Sequence, residues 1–151
     1  MTNQNCNDFQ KLQNQTFFLL HIAQKNYIKF FSDELEKIDL NFIEYFILLA
    51  MREHEALTIT SLCSEIHIEP GSISPYIKGL SAKKLIFKRH NKRDRRSFVV
   101  KLSDAGKEKF NEIETSINKV NAKIGMTEDE CKDYNEKLLT LIGKIDAATK
   151  I

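Results

Sequence analysis

Ten basic residues, Lys78, Lys83, Lys84, Lys88, Arg89, Lys92, Arg93, Arg95, Arg96 and Lys101, fall between Gly71 and Lys101 against one acid, Asp94. The segment therefore carries +9, and because the whole chain carries +2, the remainder stands at −7. A concentrated cationic stretch on an acidic body suits a polyanion, since each phosphate neutralised releases condensed counterions. Other chemistry has less to work with. There is no glycine-rich phosphate loop, nucleophile elbow, HExxH or carboxylate pair in a recognisable context, so the chain is not expected to be an enzyme. Cys6, Cys63 and Cys131 are odd in number, far apart and without a CxxC pair, which reads as free thiols in a reducing compartment. Cys63 and His67, four apart on an expected helix, share a face but offer only two ligands where a closed zinc site needs about four. No metal or cofactor is expected.

The elements that must carry the basic segment are mostly helical. Five Gly and two Pro in 151 residues leave little room for loops, and 42% hydrophobic with 29% charged residues is the balance of one soluble globular unit. Apolar residues from Phe9 to Ile38 recur at helical spacing and predict one long helix; Asp39 to Asn41 breaks it, and Phe42 to Met51 follows as a buried helix. Leu57 and Thr58 are placed to cap a short third helix, with Ile59, Leu62 and Ile66 inward and Thr60, Ser61 and Ser64 outward. Pro70 and Gly71 open a fourth, with Ile73, Ile77 and Leu80 buried and Ser72, Ser74, Pro75, Tyr76 and Lys78 outward. Pro75 removes one backbone hydrogen bond there, which predicts a kink or a late helix start.

Beyond Lys84 the period changes. Leu85 to Arg89 and Ser97 to Leu102 are β-rich runs joined by the basic stretch His90 to Arg96, a β-hairpin pattern. Ser103 and Asp104 then cap a helix whose Phe110, Ile113, Ile117, Val120 and Ile124 step by 3, 4, 3 and 4, the seam of a helix packed on a partner. Gly125 ends it. Thr127 to Glu130 is a capping box, and Cys131, Tyr134, Leu138, Leu141 and Ile145 repeat the stripe, which predicts an antiparallel helix hairpin at the C-terminus.

Two short helices followed by a hairpin have the order of a winged helix-turn-helix. A major groove about 12 Å wide admits one helix, where Ser72 and Ser74 approach base edges and Lys78 reaches phosphate or guanine. The alternative for both serines is a capping role. At the hairpin tip Arg96 is placed for the minor groove, with the Asp94 carboxylate holding its guanidinium in a fork. Thr58, Ser61, Gly71, Pro75, Tyr76, Lys88, Arg89, Lys92, Arg93 and Arg95 complete the expected DNA-facing set.

The run Leu62 to Gly106, with Ser72-Ile73-Ser74-Pro75-Tyr76, the Asp94-x-Arg96-Ser97 tip and Leu102-Ser103-Asp104-Ala105-Gly106, resembles the MarR family of bacterial regulators. The likeness extends more weakly over almost the whole chain. It implies a mainly α fold with a small β-wing: one MarR-like domain over 1–151, dimerisation helices at 1–38 and 103–151, and a winged helix-turn-helix lobe at 39–102. It further implies a homodimer on a pseudo-palindromic double-stranded operator, usually repressing, and release by a small-molecule effector or by oxidation. Lys84 departs from the pattern, because many relatives carry Gly there. Leu12 to Leu20 is similar to the organic-hydroperoxide and thiol-sensing branch, whose reactive cysteine matches Phe17 and whose two tyrosines match Phe31 and Phe42. A phenyl ring supplies neither thiolate nor hydroxyl, so that chemistry is lost at this site. Cys6 is the thiol left for a redox-responsive alternative. Phe17, His21, Phe31, Phe42, Tyr45 and Phe46 form the candidate ligand pocket. A winged-helix module for protein or RNA is the other alternative. No membrane span or signal pattern is visible, and a cytoplasmic location is expected.

Overall fold

The computed structural model describes residues 11–92, 94 and 96–149; Cys6, Phe9, Arg93 and Arg95, named above, lie outside the described residues. After a 3₁₀ turn at Leu12–Asn14 come helices α1 (Thr16–Glu36) and α2 (Phe42–Glu53), strand β1 (Leu57–Thr58) and helix α3 (Ile59–Glu65). A second 3₁₀ turn, Pro70–Ser72, precedes α4 (Ser74–Ala82), β2 (Ile86–His90), β3 (Phe98–Leu102), α5 (Asp104–Ile124) and α6 (Glu128–Thr149). The expected mainly helical fold with a small wing is the one observed.

The sheet is antiparallel in the order β1-β3-β2, with Val100 facing both Leu57 and Lys88. Val100 is fully buried and joins Ile47, Leu48, Leu62, Ile77 and Leu80 in one core beneath α2, α3 and α4. Leu57 and Thr58 thus do more than cap: they form a third strand that the sequence reading omitted. Thr58 still accepts the Ser61 N–H at 3.1 Å as the N-cap of α3. A strand of two residues is too short to display an alternating pattern.

Four helices end on a left-handed residue: Asp39 after α1, His67 after α3, Lys84 after α4 and Gly125 after α5. In each case the next N–H reaches back five residues, as Leu85 does to the Leu80 carbonyl at 3.0 Å. Only Gly125 adopts this backbone without a Cβ penalty. The junction after α4 is tight. Ser103 Oγ donates to the Lys84 carbonyl at 2.6 Å and accepts the Gly106 N–H at 2.9 Å. A Cβ on Gly106 would lie 2.1 Å from the Leu85 carbonyl oxygen, so no larger residue fits.

One expected packing arrangement is not found. α6 does not fold back along α5, and none of its residues is buried. Its Tyr134, Leu138 and Ile145 remain at least 42% exposed. A 3-4-3-4 stripe specifies that a helix has a partner surface but not which one. On the other side α5 packs against α1, where Lys123 and Lys37 both donate to the buried Glu34 carboxylate, Lys37 at 2.6 Å.

Two outcomes follow from these contacts. Lys84→Gly should stabilise the fold by about 1 kcal/mol, because it removes a left-handed Cβ clash; a rise in melting temperature of roughly 3 °C checks it. The lysine contacts hold the Glu34 carboxyl down from 4.5 to about 2. A lowered folded-state value contributes stability above the unfolded value that is lost as pH falls from 4.5 towards 2. Glu34→Gln should therefore shallow the acid-unfolding curve across that window while also lowering stability at neutral pH, measured by denaturant melts at stepped pH.

Candidate nucleic-acid interface

The exposed side of α4 is set by what its other side buries. Ile73, Ile77 and Leu80 are at most 1% exposed, which turns Ser74, Pro75 and Lys78 outward and leaves Tyr76 half-buried against the core. Gly71 and Ser72 are exposed just ahead of the helix. Pro75 sits in the first turn because α4 begins at Ser74, the late start that its missing N–H predicts. Ile73 occupies the N-cap, and no side chain caps either α4 or the preceding 3₁₀ turn. Ser72 and Ser74 are thus not capping residues. Among the described residues, their hydroxyls have no hydrogen bond within the chain and point their chemistry outward.

Thr58 and Ser61 are engaged with each other. Thr58 Oγ1 donates to Ser61 Oγ at 2.9 Å, although Ser61 itself is exposed. Cys63 is buried at 2%, and burial pushes its thiol pKa up, with Glu69 adding to the effect. His67 lies past the end of α3 on an exposed left-handed residue. The shared face expected of Cys63 and His67 is therefore absent, because the helix stops before it reaches the histidine.

On the wing, Lys88, Arg89, Lys92, Asp94 and Arg96 are all exposed. The tip is held chiefly by main-chain contacts: Asn91 N–H donates to the Ser97 carbonyl at 2.9 Å, and Ser97 donates from both N–H and Oγ to the Asp94 carbonyl at 3.0 Å. Asp94 Oδ1 accepts the backbone N–H of Arg96 at 3.0 Å. The expected carboxylate fork on the guanidinium is replaced by an Asx-type turn, so Asp94 orients Arg96 through its backbone. Below the tip, His90 packs on its cross-strand partner Phe98 with ring centroids 4.5 Å apart, and Arg89 lies 5.8 Å over the Phe87 ring.

Not every cation of the basic segment faces outward for a ligand. Lys83 pairs with the buried Glu44 at 2.9 Å, and Lys101 pairs with Glu55 at 2.8 Å. Charge counting alone does not separate these two from the rest.

Of the candidate pocket residues, Phe31, Phe42, Tyr45 and Phe46 stack into a continuous aromatic ladder with Tyr27, centroid spacings running from 5.0 to 6.1 Å. Phe17 and His21 stand apart and exposed on α1. Phe46 borders a hollow of about 270 Å³ together with Leu49, Glu53, Glu65 and His67, and two larger open spaces are found at other places. A cleft of about 420 Å³ is lined by Tyr27, Phe30, Ile124 and Tyr134, and a groove of about 850 Å³ runs between the end of α2, the wing and α5. Arg52, stacked 4.9 Å over Phe110, Arg89 and Lys107 line that groove. No periodicity or motif marks it in the sequence. On the surface, ligating atoms of Glu53, His54 and Glu65 approach within 4.8 Å of one another, all three residues being exposed.

Comparison with known proteins gives this geometry a lineage. The chain is 28% identical over 89% of its length, and 92% of the relative's, to the organic hydroperoxide resistance transcriptional regulator of Bacillus subtilis (strain 168). In three dimensions it matches a probable transcriptional regulator from Pseudomonas aeruginosa at 20% identity and a TM-score of 0.76, covering 87% of this chain and 99% of that one. It also matches a cysteine-to-serine variant of MarR from E. coli complexed with operator DNA, at 18% identity and a TM-score of 0.68 over 82% and 90%. The two structures share the MarR winged-helix fold. The model for "Transcriptional regulator SarA/Rot" matches residues 29–113, more than half of the chain and all of the lobe just described. The chain belongs to the SarA/Rot family of transcriptional regulators.

Proposed function

We propose that this regulator binds a pseudo-palindromic operator in double-stranded DNA as a homodimer in the cytoplasm, and that it represses. The observation that carries the reading is the uncapped N-terminal end of α4, where Ser72, Ser74 and Lys78 stand exposed while Ile73, Ile77 and Leu80 anchor the helix. Small hydroxyls without internal partners at a helix start suit base edges in a major groove. The exposed Lys88, Arg89, Lys92 and Arg96 of the wing suit phosphate and minor groove. A likeness in fold to a regulator complexed with operator DNA agrees with this assignment.

The homodimer is supported by apolar surface that a lone chain leaves in water. Phe17 is 86% exposed and Leu139 68%, with Leu19 and Ile22 on α1 and Ile142 and Ile145 on α6 also exposed. Exposed apolar helix surface of this kind marks protein interfaces. Two copies would present two α4 helices, and successive major grooves on one DNA face lie about 34 to 36 Å apart. Among the described residues no helix is long and apolar enough to cross a membrane.

Selection of bound duplexes from genomic fragments at two salt concentrations tests the function. Enrichment of a two-fold symmetric sequence supports it, and weak binding without sequence preference overturns it. Arg96→Ala should weaken duplex binding and lower the salt slope by about 1 for each wing, with the dimer unchanged by sedimentation; an unaltered slope would show that the wing does not meet DNA. Ser74→Ala should change the preference at one base pair by about 1 kcal/mol, read from competition among single-base operator variants. A uniform loss across all variants would remove the base-reading role.

A further inference from the structure

Among the described residues, Glu34 and Glu44 are the two charged side chains that are buried, at 3% and 4% exposure. They flank one corner, the turn from α1 into α2, and each reaches to a different helix. Glu34, near the end of α1, takes Lys123 from the far end of α5 together with its neighbour Lys37. Glu44 Oε2, in the first turn of α2, accepts Lys83 Nζ at 2.9 Å and the Asn41 N–H at 3.1 Å. Lys83 is the residue that closes α4, and its ammonium also donates to the Asp39 carbonyl at 2.6 Å. From the other side, α4 approaches so closely that a Cβ on Gly79 would lie 2.7 Å from Glu44 Oε1. The end of α4 is thereby seated on the corner by two hydrogen bonds and one steric contact.

A carboxylate out of water is tolerated only where its partners hold it in good geometry, so these sites are stiff in a way that an apolar contact is not. We propose that Glu34 and Glu44 are positioning residues that clamp the α1–α2 corner between α5 and α4, fixing the angle of α4 relative to the helices that pair two copies. The inference rests on the reading of the chain as a homodimeric operator-binding protein. Its content is geometric. With the clamp intact, one spacing between half-sites is strongly favoured; with it released, each lobe pivots and neighbouring spacings are accepted.

The test uses the full-length chain and the selected operator, alongside duplexes in which the half-sites are moved one base pair closer or further apart. Glu44→Gln keeps an acceptor for the Asn41 N–H but removes the charge facing Lys83, and Lys83→Met removes the charge from the other side. Each is expected to bind the native spacing about tenfold more weakly and to lose most of its discrimination against respaced sites, a coupling in the ordinary range for a two-state element. Glu34→Gln, which touches nothing on α4, is expected to relax spacing discrimination in the same direction. Lys83→Arg should retain it. The double variant Glu44→Gln/Lys83→Met should lose no more than Lys83→Met alone, because the lysine change already removes the contact to Glu44 together with the one to the Asp39 carbonyl. Should Glu44→Gln fail to fold, Lys83→Met, which changes the more exposed end of the pair, carries the same expectation. Folded, dimeric variants with wild-type affinity and wild-type spacing preference would overturn the clamp. A wild-type chain that binds no duplex at any spacing would instead overturn the operator-binding reading, and the clamp with it.

Discussion

The backbone of Leu85 passes so close to Gly106 that no side chain fits between them, and much of the lobe is organised by that approach. Three elements meet there. The left-handed Lys84 that follows α4 lies one residue earlier, β2 starts one residue later, and Ser103, the N-cap of α5, bridges the Lys84 carbonyl to the Gly106 N–H. Because α4, the wing and the long α5 share a junction only a few ångströms across, none of them tilts without moving the others. The interior of a folded lobe transmits such displacements, since its packing has little slack.

The same economy governs charge. Ten basic residues look uniform in the sequence, yet the structure pairs Lys83 and Lys101 with carboxylates of the same chain and leaves Lys78, Lys88, Arg89, Lys92 and Arg96 exposed. Exposed ion pairs contribute little, so Lys101 with the exposed Glu55 is a minor matter. Lys83 with the buried Glu44 is different: the carboxylate is already desolvated, and losing its partner leaves the charge uncompensated.

Much of this was legible beforehand, for definable reasons. Long elements with an apolar face, such as α5 with Phe110, Ile113 and Val120 buried, display their period over several turns. The hairpin shows itself through β-branched and aromatic runs, and Gly125 and the Thr127 box mark helix ends by residue type. What escaped was short, non-local or unmarked. β1 has two residues. Asp39, His67 and Lys84 terminate helices in a conformation normally signalled by glycine. At the site, the serines, the lysine and the arginine tip were visible, but the grip of Asp94 on a backbone N–H and the reach of Lys83 across 39 residues to Glu44 were not. A capping box of Asn41 and Glu44 opens α2 at a place read from the sequence only as a break, and nothing local says that its glutamate also receives a lysine from another helix.

The turn at the wing tip has an evolutionary consequence. Asp94 and Ser97 shape the tip through the main chain, so the side chain at position 96 contributes little to that shape. Ser72, Ser74 and Lys78 likewise project from a helix anchored by other residues. The positions that meet the outside are therefore nearly free of folding duties, and mutation there is filtered by what the protein touches and hardly by whether it folds. A scaffold of this kind drifts readily to new targets, and paralogous copies of one gene diverge in what they read long before they diverge in form.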